Sequence, residues 1–152
     1  MNKFYPVSVI LVLAIFAGAI VTAGGVFGMF ISIPSLVVVL LTSFVLSLAS
    51  SKPAQLGRHF SIGFRSGPQD AADLKKALAY FDALGRYLLV SGLIGTTIGA
   101  ISILGALNEV ETIGRGTALA LTTIFYGAIL WMLVVVPFRT GLRNKLAEVG
   151  AE

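Results

Sequence analysis

Four threonines supply hydroxyl groups in the interior of two long apolar segments, residues 87–107 and 117–137. Neither segment contains a carboxylate, a lysine, an arginine or a histidine. A hydroxyl can offer an oxygen ligand or a hydrogen bond, but it cannot carry a charge at neutral pH. The threonines are Thr96, Thr97, Thr122 and Thr123.

This absence of charge limits what the chain can do alone. A self-contained transporter or pump needs a titratable or coordinating charge at membrane depth, and these segments have none. Two interpretations remain: a structural scaffold, or a shell whose partner supplies the charge. No nucleophile, base or metal-ligand cluster is assembled by the spacing, so we expect no enzymatic activity, no metal site and no cofactor.

The composition is that of a membrane protein. The chain is 57% hydrophobic and 12% charged, whereas soluble domains carry about 25% charged residues. No charged residue lies between Lys3 and Lys52, a stretch long enough for two spans of about 20 residues with a turn. We therefore predict an all-α membrane protein, a single domain over residues 1–152 with four transmembrane helices. The predicted spans are about 6–24, 34–51, 87–107 and 117–137. Lys3 and the first apolar run would also fit a signal peptide, but the run continues to Gly24, which favours a retained span.

The polar segment, residues 52–86, is expected to be helical. Apolar residues at four-residue spacing predict a short amphipathic helix at the lipid surface or against a neighbour: Leu56, Phe60 and Phe64. His59 is expected to be solvated. Pro68 is predicted to open a second helix that extends the third span out of the membrane as one long rod, with Gly85 as its weak point. Residues 138–152 are expected to leave the membrane as a helix that frays.

The basic residues predict the topology. Four spans place ten of the eleven lysines and arginines on one side, and only Arg115 on the other. The positive-inside rule makes the richer side cytoplasmic, together with both termini. Because this topology accounts for the excess positive charge, the pI of about 9.7 does not indicate nucleic-acid binding.

Small residues and a proline mark the same two segments. Gly95 and Gly99, with Gly92 one turn earlier, form a small-xxx-small pattern that lets helices approach closely. Pro137 is expected either to terminate the fourth span or to form a kink that shapes a gate. Tyr126 and Trp131 are expected to pack or to face lipid.

Several motifs, in order along the chain, resemble the MotA/TolQ/ExbB ion-channel family. Residues 92–99 (GLIGTTIG) are similar to its third-span Gly-Thr-x-x-Gly motif. Tyr126-Gly127, ten residues before Pro137, is similar to the end of the fourth span in the MotA and PomA branch. Gly24-Gly25 and residues 33–36 (IPSL) are similar to the first hairpin of that branch. The resemblance covers the four spans but not the polar segment, which is much shorter than in stators of this family.

This resemblance implies an ion-channel shell of a rotary motor in the bacterial inner membrane, driven by the proton or sodium motive force. Five copies would surround a dimer of a single-span partner similar to MotB, TolR or ExbD, whose aspartate binds the ion. A non-conducting oligomeric scaffold is the alternative. The short polar segment makes a standard flagellar stator unexpected and indicates a minimal relative.

The resemblance also implies roles for individual residues. Thr96 and Thr123 match threonines of the ion path, accompanied by Thr97 and Thr122. Pro137 matches the fourth-span proline. Gly127, with Gly92, Gly95 and Gly99, is assigned to helix packing. The second threonine of the fourth-span pair falls on Ile124, and this slightly favours a proton over sodium, since sodium prefers several oxygen ligands.

Overall fold

Helices make up nearly all of the protein in the computed structural model, which describes residues 5–65, 67, 69–105 and 110–150. No strand occurs in these ranges, so the predicted all-α membrane fold is confirmed. Residues 1–4, 66, 68, 106–109 and 151–152 lie outside them, including Lys3, the predicted helix start at Pro68 and the end of the predicted third span. The α-helices are α1 (Tyr5–Thr22), α2 (Ile33–Ser50), α3 (Pro53–Phe64), α4 (Ala71–Gly105), α5 (Val110–Leu130) and α6 (Val136–Val149).

Three helical segments are long and apolar enough to cross a membrane: α2, α4 and the continuous helix Val110–Val149 that contains α5 and α6. The apolar α1 is shorter, and its 18 residues extend about 27 Å, close to the roughly 30 Å of a hydrocarbon core. Many large apolar side chains are exposed, such as Ile10 and Ile15 of α1 and Leu41 of α2. In a membrane these side chains would contact lipid.

The turn between α1 and α2 is held by α5. Gly24 adopts a φ of 70°, a conformation that glycine tolerates without a steric penalty. Ser32 caps α2 by accepting a hydrogen bond from the backbone N–H of Ser35. Tyr126 of α5 fixes the turn from outside, because its hydroxyl donates to the carbonyl of Phe30 and accepts from the N–H of Ser32.

The long rod predicted around the third span is present as α4. Its 35 residues extend about 52 Å, so it continues well beyond the membrane. Gly85 does not interrupt it. A Cβ at this position would lie 3.0 Å from the Trp131 ring and from Val135, so the missing side chain makes room for the neighbouring helix.

The polar segment forms its own small core with the C-terminal helix. The ring of Phe60 on α3 packs against Phe81 of α4 and Phe138 of α6, with centroids 5.1 and 5.5 Å apart. Phe81 and Phe138 are stacked at 4.5 Å. The amphipathic helix predicted from residues 56–64 therefore packs against neighbouring helices. The expected fraying of the C-terminal segment is wrong for residues 138–149, because Phe138 and Leu142 are buried.

Lys145 attaches α6 to the end of α3. Its ammonium group donates to the carbonyls of Ile62, Gly63 and Arg65, at 2.9, 3.1 and 2.7 Å. The last carbonyls of a helix lack intrahelical partners and attract cations. Lys145 thus caps α3 from a helix about 80 residues further along the chain.

Candidate functional site

The contact between α4 and α5, called here the α4–α5 seam, is lined by glycines on both helices. A Cβ on Gly99 would lie 2.7 Å from the carbonyl oxygen of Gly116, and a Cβ on Gly127 would lie 2.7 Å from the carbonyl oxygen of Leu88. A Cβ on Gly92 would lie 3.3 Å from the Thr123 carbonyl oxygen. The two backbones are therefore in direct contact along the seam.

Two of the four threonines lie in this seam. The hydroxyl of Thr96 is 3.0 Å from the carbonyl oxygen of Gly92 in its own helix and 2.9 Å from that of Ala120 in α5. Thr123 is 0% exposed. Its methyl group fills the space that Gly95 leaves open, since a Cβ there would be 2.2 Å from Thr123 Cγ2.

The other two threonines lie elsewhere, so the structure does not bring all four together. Thr97 is on the exposed face of α4, and its hydroxyl donates to the carbonyl of Leu93 at 2.9 Å. Thr122 is buried and donates to the carbonyl of Ala118. Thr122 also lines a cavity of about 610 Å³ near Arg115.

A line of serines on α2 joins the site, and the sequence interpretation missed it. Thr123 donates to the Ser35 hydroxyl at 3.0 Å, and the Ser43 hydroxyl is 3.3 Å from that of Ser91 on α4. Ser47 donates to its own helix, at the Ser43 carbonyl. The sequence does contain a signal for this line of serines. Ser43 and Ser47 are four residues apart and Ser35 lies two turns earlier, and residues at this spacing share one helix face.

The helix does not end at Pro137. It continues from α5 into α6 through a π-helical turn, Trp131–Val135. A proline cannot donate to the carbonyl four residues earlier, which here belongs to Leu133. The hydroxyl of Tyr5 on α1 donates to this carbonyl at 2.7 Å, so the first helix compensates for the bond that the proline lacks.

Charged groups lie only beyond the ends of the seam, within the described ranges. At the end of the seam next to α6, Asp82 of α4 pairs with Arg139 of α6. At the other end, Glu111 pairs with Arg115 at 2.6 Å near the start of α5. No group of three His, Cys, Asp or Glu residues in these ranges could hold a metal ion. The seam itself offers only hydroxyl and backbone oxygens.

His59 is not solvated, and this sequence prediction is wrong. The side chain is 8% exposed and stacks on the ring of Tyr80, with centroids 5.0 Å apart. Burial lowers the pKa of His59, as does the adjacent Arg58, while Asp73 raises it. The helix formed by residues 53–64 turns His59 towards α4 together with Phe60.

Comparison with known proteins supports the resemblance seen in the motifs. The model of the MotA/TolQ/ExbB proton channel family matches residues 65–152. Motility protein A of Aquifex aeolicus is 38% identical over 71 residues, 47% of this chain and 26% of that protein. Chemotaxis protein PomA of Vibrio alginolyticus is 39% identical over 57 residues, 38% of this chain and 22% of that protein. The chain thus spans about a quarter of the length of the curated relatives it matches.

Proposed function

Because the chain belongs to the MotA/TolQ/ExbB proton channel family, we propose that it is the ion-channel shell subunit of a rotary motor in the bacterial inner membrane. Five copies surround a dimer of a single-span partner similar to MotB, TolR or ExbD. The partner's aspartate binds the ion, and both termini of the present chain lie in the cytoplasm. The proposal requires neither enzymatic activity nor a cofactor.

The composition of the α4–α5 seam carries this proposal. The seam is closely packed and holds hydroxyl groups, but it has no titratable side chain. An isolated carboxylate at membrane depth is costly and requires polar surroundings. In a wall of this kind the second chain supplies the charge, and Thr97, on the exposed face of α4, offers a hydroxyl that another helix can reach.

We favour a proton over sodium as the coupling ion. The hydroxyl of Thr123 has its one hydrogen within reach of two acceptors, the Ser35 hydroxyl and the Leu119 carbonyl, and the next residue is the apolar Ile124. The hydroxyl of Thr96 is likewise engaged with two carbonyls. Thr123 is 0% exposed and the Thr96 oxygen lies between α4 and α5, so few side-chain oxygens are accessible to replace the hydration shell of a metal cation, whereas a proton needs only the partner's carboxylate.

Pro137 and the π-helical turn before it are proposed to form the gate. Short π-helical turns inside α-helices often occur at functional sites. Here the turn lies where α5 passes from the apolar segment towards the charged Arg139. A change between π and α geometry there would alter the direction of α6 relative to α5.

The assembly is tested by purifying the chain with the protein encoded by the neighbouring gene, which should have one N-terminal span carrying an aspartate. Electron microscopy should then show a five-fold ring around two central helices. A monomeric or dimeric particle would refute the proposed architecture.

Conduction is tested by proton flux into liposomes containing this complex. Thr96→Val and Thr97→Val should reduce the flux, because each removes a hydroxyl near the proposed path. Thr22→Val is the matched control for Thr97→Val, since Thr22 is also exposed and bonded to its own helix but lies on α1. Flux no greater than that of empty liposomes would favour the non-conducting scaffold, whereas unchanged flux in both Thr96→Val and Thr97→Val would refute the role of these two hydroxyls.

A further inference from the structure

A polar cavity of about 320 Å³ lies between the end of α2, α3 and the first half of α4. Its lining includes Ser47 and Tyr87, which belong to the predicted membrane spans, and Asp73 and Lys76, which belong to the polar segment. The cavity is therefore located at the boundary between the membrane and water. None of the residues assigned to the ion path lines it.

The charges of the cavity favour an anion. Arg58 pairs with Asp73 at 2.6 Å, which neutralises the one carboxylate of the lining. Lys76 is exposed and lines the same cavity, so one positive charge remains in excess. Arg58 is 62% exposed in its side chain, and a guanidinium has five N–H donors, more than a single carboxylate contact uses.

His59 provides a second, independent observation. Its side chain lines the cavity and is 8% exposed, yet its Nδ1 has no hydrogen-bond partner among the described residues. A buried polar atom without a partner is unfavourable, and most such atoms in folded proteins are satisfied. Nδ1 itself has almost no accessible surface, so a ligand oxygen in the cavity would satisfy it after a rotation of the imidazole ring.

We propose that this cavity binds the phosphodiester headgroup of an anionic phospholipid. The phosphate is held by Lys76 and Arg58, with His59 as a hydrogen-bonding group. The volume is at the low end of the range for ligand pockets, about 300–1,000 Å³, and suits a headgroup without its acyl chains. The chains can lie along α2, which exposes Leu41, Phe44 and Leu48.

The experiment is native mass spectrometry of the purified full-length chain in detergent micelles. The probes are phosphatidylglycerol and phosphatidylcholine with the same acyl chains, and inorganic phosphate as a competitor. Phosphatidylglycerol should remain bound and phosphatidylcholine should not. Equal binding of the two lipids, or displacement by inorganic phosphate without any preference between lipids, would overturn the assignment to an anionic phospholipid.

Lys76→Gln and its neighbour Lys75→Gln form a matched pair, because both remove one exposed positive charge but only Lys76 lines the cavity. Lys76→Gln should weaken phosphatidylglycerol binding about fivefold, the usual effect of one basic residue at an anionic lipid surface. Lys75→Gln should leave binding unchanged, and an equal loss in both variants would refute the site.

His59→Phe keeps an aromatic ring for stacking on Tyr80 but removes both nitrogens. It should weaken binding of phosphatidylglycerol while thermal unfolding, followed by the fluorescence of the single tryptophan, shows a folded protein. Unchanged lipid binding in a folded His59→Phe variant would show that the imidazole does not contact the ligand and would overturn its assigned role. These measurements need no partner chain, so their failure would leave the proposed conduction untouched.

Discussion

Replacing Gly95 by alanine tests how closely α4 and α5 pack. The new Cβ would lie 2.2 Å from Cγ2 of Thr123. Thr123 is 0% exposed and its hydroxyl is engaged with Ser35, so it cannot rotate away without losing that hydrogen bond. The helices must therefore separate, or the threonine must give up its contacts.

The expected cost follows from two opposing terms. Non-bonded carbon atoms normally stay about 3.5–4.0 Å apart, so the clash at Gly95 amounts to roughly 1.3 Å or more. Overpacking of this kind costs about 1–3 kcal/mol, while exchanging glycine for alanine inside a helix gains about 0.5–1 kcal/mol. We expect Gly95→Ala to lower the free energy of unfolding by up to about 2.5 kcal/mol.

The assay is an unfolding titration of the purified chain with sodium dodecyl sulfate, followed by the fluorescence of Trp131, whose ring packs at Gly85 of α4. Gly114→Ala is the control, because a Cβ there meets no atom within 4 Å. That substitution should stabilise the protein by about 0.5–1 kcal/mol. Adding Thr123→Ser to Gly95→Ala removes Cγ2 while retaining the hydroxyl. It should recover part of the loss, because the Cβ and Oγ1 atoms at position 123 would still lie 2.9 and 3.1 Å from the new methyl group.

Two results would refute this reasoning. If Gly95→Ala were as stable as Gly114→Ala, the close contact between the helices would not exist. If Thr123→Ser gave no recovery in the Gly95→Ala background, the clash would not involve this methyl group, because contacting residues should show a coupling energy of about 0.5–3 kcal/mol.

Three further predictions use the same unfolding measurement. Tyr5→Phe removes the hydroxyl that serves the carbonyl of Leu133, so we expect a loss of about 1 kcal/mol; no loss would mean that this carbonyl has another partner. The pKa of His59 in the folded protein is lowered from 6.5. As the pH falls below 6.5, the unfolded chain therefore protonates this imidazole more readily than the folded protein does, and the free energy of unfolding should decrease. His59→Phe should flatten that part of the profile, and parallel profiles would contradict the assignment. Neutralising either Asp82 or Arg139 should lower the free energy of unfolding by less than about 1 kcal/mol. Exchanging the two residues should recover this loss, and no recovery would show that the pair is not coupled.

Features that depend on local sequence could be predicted well. The continuous α4 follows from an unbroken helical pattern that starts in the polar segment, and the apolar face of α3 follows from the spacing of Leu56 and Phe60. The periodicity of 3.6 residues per turn is enough for both. It also predicts the face of α4 that carries Gly92, Gly95 and Gly99.

Features that depend on contacts between distant residues could not be predicted. Thr123 meets Ser35 across 88 residues, and Tyr126 holds a turn 94 residues earlier, at Ser32. His59 lies among basic residues in the sequence, and only the packing of α3 on α4 shows that it is buried. The hydrogen bond from Tyr5 to the carbonyl of Leu133, which Pro137 leaves without a helical donor, could not be predicted either. Nothing in the sequence near the proline indicates which hydroxyl will reach that carbonyl.

The capping of α3 by Lys145 has a practical consequence for chemical labelling. Burial lowers the pKa of Lys145, but an acylating reagent has little access to this amine while three carbonyl oxygens surround it. Lys75, which is exposed on α4 and does not line the lipid cavity, provides an internal reference within the same molecule. The rate at which Lys145 is acylated relative to Lys75 therefore reports how often α3 separates from α6, and it does so in intact membranes without any substitution.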